Sequence, residues 1–86
     1  MSESAKQFVA CGQSYAVERD AVVAMVDMYR VAEAAGGKLF SDWARVCTTP
    51  LIRGALGMIA ERESYHARVF DKRMTELGAE RKATLD

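Results

Sequence analysis

The sequence predicts an all-α protein: an antiparallel helical hairpin that completes a four-helix bundle only by meeting a second copy. Two long segments carry apolar residues at alternating steps of three and four, the period of one helix face. No stretch shows the strict alternation of a half-buried strand. The chain has 86 residues, and two helices of that size bury only one stripe each, so the bundle needs helices from elsewhere. A homodimer is the simplest source, because two-fold pairs are the commonest assemblies.

The first helix is expected over about residues 5–35. Glu18, Val22, Met25, Tyr29 and Ala32 recur along one face, and Val17, Ala21, Ala24 and Met28 widen it. Gly36-Gly37 is expected to end this helix, since glycine accepts the left-handed cap conformation. Residues 36–48 then form a connecting plug. Ser41 caps a short turn, and Leu39, Phe40 and Trp43 fold back over the hairpin's end, with Trp43 as a lid rather than a ligand-stacking ring. The second helix is expected over about 49–78. Thr49 reads as its N-cap and Pro50 as its first residue. Ile52, Leu56, Ile59, Glu63, His66, Phe70, Met74 and Leu77 make its seam, and Gly78 supplies the stop. The whole chain, 1–86, reads as one small domain.

Twelve basic and twelve acidic side chains cancel, which argues against a nucleic-acid binder, whose charge is usually skewed to basic. No apolar run approaches the roughly 20 residues that span a bilayer. The opening MSESAKQF lacks the basic start and apolar middle of a signal peptide. Cys11 and Cys47 show no Cys-x-x-Cys spacing. The expectation is a cytoplasmic, reduced protein whose two cysteines are small buried groups at opposite ends of the hairpin.

Chemistry concentrates in AERESYHARVF, residues 60–70, which holds the only histidine. Glu63 and His66 are spaced Glu-x-x-His and share a helix face. Both interrupt the apolar seam of the second helix, as Glu18 interrupts that of the first. A carboxylate in a bundle core is costly unless it is paired or bound to a cation. Counting at about 1.5 Å per residue puts Glu63 about 21 Å from Thr49, and Glu18 about 27 Å from Gly36. On that count the three groups meet within about one turn. Carboxylates with imidazole suit iron, manganese or zinc. Glu61, Arg62, Arg68, Lys72 and Arg73 read as the wet face, and Met25 and Met28 as core filler. Tyr65 is either a hydrogen-bond partner beside the site or a packed, half-buried ring.

VERDAVVAMVDMYRVAEAAGG (17–37) and IAERESYHARVFDKRMTELG (59–78) resemble the helix pair of ferritin-like proteins, closest to the rubrerythrin and bacterioferritin type. That resemblance implies Glu18, Glu63 and His66 as metal ligands and two iron ions per dimer site, with manganese or zinc as substitutes. It also implies ferroxidase or related oxidoreductase activity. Such bundles place one Glu on each of two helices and Glu-x-x-His on each of the others; this chain offers one of each. Its connection is longer than in rubrerythrins, and it lacks a rubredoxin-type cysteine module. The half-length pattern is similar in architecture to encapsulated ferritins, and equally to the N-terminal half of a longer ferritin-like chain. Two other readings stay open: a non-enzymatic helical dimerisation or interaction module, and a binding-only site for Zn or Mn.

Overall fold

The computed structural model describes residues 7–85. Its elements are β1 (Phe8–Ala10), β2 (Gln13–Tyr15), α1 (Glu18–Val46) and α2 (Pro50–Glu76). The helical hairpin is as expected, and both boundaries of its first helix are not.

The first difference is at the start, where a helix was expected from residue 5; residues 5 and 6 lie outside the described part. β1 and β2 pair antiparallel, with Phe8 opposite Tyr15 and Ala10 opposite Gln13. Cys11 and Gly12 form the tip with φ of 52° and 78°. A two-residue hairpin loop needs left-handed backbone at both positions to match the twist of its strands. Cys-Gly is an unusual carrier of that signal, which hides the turn in the sequence. Cys11 is consequently exposed rather than buried, and its thiol points to the Ala24 carbonyl at 3.8 Å. Cys47 is half-buried at the far end of α1, and both thiols are free.

α1 then runs 29 residues, straight through Gly36-Gly37. Each glycine in a helix interior costs about 1 kcal/mol relative to alanine. Close approach of α2 explains their presence. A Cβ on Gly37 would run into Ser64 Oγ and sit 3.3 Å from the Ser64 backbone nitrogen, and one on Gly36 would lie 3.2 Å from Glu63 Oε2. The pair therefore marks a helix contact rather than a helix end. The expected plug of residues 36–48 disappears with it. Leu39, Phe40 and Trp43 belong to α1, Phe40 stacks on Trp43 at 6.3 Å, and Trp43 stays 54% exposed, so it lids nothing within the chain. The connection shrinks to Cys47, Thr48 and Thr49, a length typical of antiparallel neighbours.

α2 begins as expected, with Thr49 in extended backbone and Pro50 at the first turn. Gly78 at φ 64° reverses the chain past its last turn, where Ala79 N–H donates to Met74 O at 3.0 Å. Residues 79–85 form neither helix nor strand. They run back along α1: the Arg19 guanidinium donates to Leu77 O, and the N–H groups of Lys82 and Ala83 donate to Asp27.

The core is thin. Ala21, Val26, Leu56, Ala60 and Met74 are its buried apolar residues. The stripe expected to be the core face of α1 is largely open instead: Val22, Met25 and Tyr29 are 36–48% exposed, and Leu39 and Trp43 continue it at 61% and 54%. Ile52, Ile59 and Val69 flank it on α2. The molecule measures 66 × 24 × 20 Å with a radius of gyration of 17.2 Å, against about 12 Å for a compact chain of this length. Its accessible surface is 6532 Å², about 1,500 Å² more than the roughly 5,000 Å² usual for a monomer of this mass. Among the described residues no helix is long and apolar enough to cross a membrane.

Candidate metal centre

Glu63 and His66 sit on α2 where that helix meets α1, one turn apart, as the Glu-x-x-His spacing requires. Glu63 lies against Gly36, whose missing side chain makes room for its carboxylate. His66 Nδ1 faces Glu33 Oε2 at 3.7 Å. Glu33 is three residues before Gly36 and so lies on the same side of α1, one turn along. Across the hairpin, then, His66 faces Glu33 and Glu63 faces Gly36.

Glu18 is not among them. It occupies the first turn of α1, exposed, where with Asp20 it complements the positive end of the helix. The register count assumed that α1 ends at Gly36. Because α1 continues to Val46, the residue at the level of Glu63 is Gly36 itself, and Glu18 lies about 27 Å further down at about 1.5 Å per residue.

Glu33 is the residue that periodicity did not single out. Its side chain is 24% exposed as a whole, yet Oε2 is buried and has no hydrogen-bond partner. An unsatisfied buried acceptor costs about 1–3 kcal/mol, and 3.7 Å is too long for a hydrogen bond to His66. A sequence signal existed: the glycine pair marks where a second helix passes close, and Glu33 stands one turn away on the same side. The imidazole is 44% exposed, so this cluster opens toward the face bearing Met25, Tyr29 and Ile59 rather than into a closed core.

Apolar groups bound the cluster. Tyr29, one turn before Glu33, stacks on Phe70, one turn after His66, with centroids 5.6 Å apart. Tyr65 is 58% exposed; its ring is tilted against His66 at 6.1 Å, and the Arg68 guanidinium lies 5.9 Å from its centroid. It flanks the imidazole from outside.

Tested against a metal, the donor set fits in kind. Two carboxylates and an imidazole lie within about one turn of one another along the hairpin, and one carboxylate oxygen is buried without a hydrogen bond. It falls short in number: among the described residues no three His, Cys, Asp or Glu side chains gather closely enough to hold an ion. The Glu33–His66 pair is open on the side where the apolar surface is uncovered. No family model, curated protein or solved structure matches the chain.

Proposed function

We propose that two copies of this chain dock through their open faces into a four-helix bundle and share a di-metal carboxylate site built from Glu33, Glu63 and His66 of each. The buried, unpartnered Glu33 carboxylate oxygen facing His66 is the observation that carries this reading. A cation is the partner such a group lacks, and a second chain is what the half-shell lacks.

Position supports the two-fold arrangement. Glu33 and Glu63 stand within one residue of the midpoints of α1 and α2. A two-fold axis crossing the hairpin at mid-length therefore brings both half-sites to one level, whatever the sliding contacts at the ends. The surface surplus of about 1,500 Å² exceeds the roughly 800 Å² per partner of a standard interface. Four carboxylates and two imidazoles then surround the centre, a set suited to two iron or manganese ions.

Glu63, which lies against Gly36, would hold the metal together with Glu33 and His66. Bound iron would supply the redox chemistry, oxidation of Fe(II) by dioxygen or peroxide, and the function is that of a ferroxidase or related di-iron oxidoreductase. The chain's contribution is ligand geometry and a dry setting: Tyr29 with Phe70 on one side and Ile59 on the other keep water from the carboxylates.

Anaerobic Fe(II) titration of the purified chain tests the reading. Saturable binding lost in Glu33→Ala and His66→Ala is the expected result; binding indifferent to both substitutions would refute it. Binding of zinc or manganese without iron oxidation would reduce the reading to a binding-only site. A melting temperature that no metal raises would favour the interaction module, because only a ligand of the folded state shifts stability.

A further inference from the structure

We propose that Gly36 is a positioning residue for the metal centre: the side chain it lacks is the space that fixes where the Glu63 carboxylate sits. The role belongs to the reading of Glu33, Glu63 and His66 as ligands and rests on it.

The two adjacent glycines of α1 meet different parts of α2. Beside Gly37, the atoms nearest an added Cβ are Ser64 Oγ, the Ser64 nitrogen at 3.3 Å and the Ala60 oxygen at 3.4 Å. Two of these are backbone atoms, so Gly37 sets how closely the helices approach. Beside Gly36 the three nearest atoms are Oε2, Cδ and Cγ of Glu63, at 3.2, 3.5 and 3.6 Å. All three belong to one carboxylate-bearing side chain. Gly36 therefore bears first on a candidate ligand, where Gly37 bears on the packing of two helices.

Energetics separate the two roles. A helix interior favours alanine over glycine, and both positions lie inside α1. Gly36 thus weakens its helix unless the space it leaves serves something else. A methyl group there would press on the end of a flexible, half-buried side chain, which can give way by a few tenths of an ångström. Such a shift costs the fold little. It costs a metal ligand more, because metal–ligand distances stay within about 0.2 Å of fixed values. Groups that orient a ligand without touching the metal change affinity by about 10–100-fold. Stability and binding should consequently move in opposite directions, whereas a glycine needed only for packing would lower both when replaced.

The test measures the metal-free melting temperature and the anaerobic Fe(II) affinity of the wild-type chain and Gly36→Ala. Gly36→Ala is expected to melt a few degrees above the wild type and to bind Fe(II) about 10–100-fold more weakly. A melting temperature below that of the wild type would make Gly36 a packing glycine like Gly37 and overturn the positioning role. Equal Fe(II) affinity in the variant and the wild type would overturn it too, while leaving the metal centre standing. A wild-type chain that binds no Fe(II) would overturn the metal centre itself, and the positioning role with it.

Discussion

In the proposed site Glu33 would set stability against metal binding, a conflict that a single substitution can expose. Its buried oxygen makes no hydrogen bond, a burden of about 1–3 kcal/mol. Glu33→Leu should therefore raise the metal-free melting temperature by several degrees, since 1 kcal/mol is worth about 4–8 °C at this size. The same variant should lose the stabilisation that added metal gives the wild type; calorimetry with and without Fe(II) reads both. Glu18→Ala, by contrast, should leave metal binding unchanged. The shared helix face of Glu63 and His66 was legible in the sequence because Glu-x-x-His is a local spacing that holds wherever the helix ends. Glu33 was not, because finding it required knowing which α1 residue faces Glu63, and that depends on where the helix stops. Tyr29 and Phe70 show the same division: each reads correctly as part of an apolar stripe, while their stacking across the hairpin depends on register.

At the scale of elements, the glycine pair decides the hairpin. A cap and a close approach both call for glycine, and local sequence does not separate them; the proximity of Ser64 and Glu63 does. Gly37→Ala should destabilise by about 1–3 kcal/mol, the usual cost of overpacking, despite alanine's better helix propensity. Adding Ser64→Ala should recover much of that loss, which thermal melts of the single and double variants would show. The α2 boundaries were legible because Thr49-Pro50 and Gly78 are end signals that no neighbour overrides. The β-hairpin was missed because its turn is Cys-Gly rather than Asn-Gly or Asp-Gly. The Asp27 contact makes its own prediction. Burial pushes this carboxyl up, but the Lys82 N–H, the Arg30 guanidinium and the Ala83 N–H outweigh it, leaving it below its ordinary value of 3.8. A depressed carboxyl stabilises fully above the unfolded value and loses that contribution as pH falls through the folded one. The 77–85 segment should thus stay protected from exchange at neutral pH and open only below about pH 4, seen as loss of amide protection at Lys82 and Ala83. Protection that already fails near pH 6 would contradict this.

At the scale of the whole molecule, what was legible was an insufficiency. Two amphipathic helices with stripes too broad for one another announced uncovered surface, and the structure has it, from Val22 to Trp43 on α1 and from Ile52 to Val69 on α2. The proposed metal site opens onto that surface, so a charge placed on it should act at a distance. Met25→Glu touches no ligand, yet it should dissociate the dimer and with it the metal, a joint loss that sedimentation and metal analysis would register. The central claim is that site and dimer are one object, and native mass measurement under anaerobic Fe(II) addresses it most directly. The account predicts a dimer carrying two metal ions in the wild type and in Glu18→Ala, and none in Glu33→Ala or His66→Ala. A metal-free monomer in the wild type, or a metal load unaffected by Glu33→Ala and His66→Ala, would contradict it.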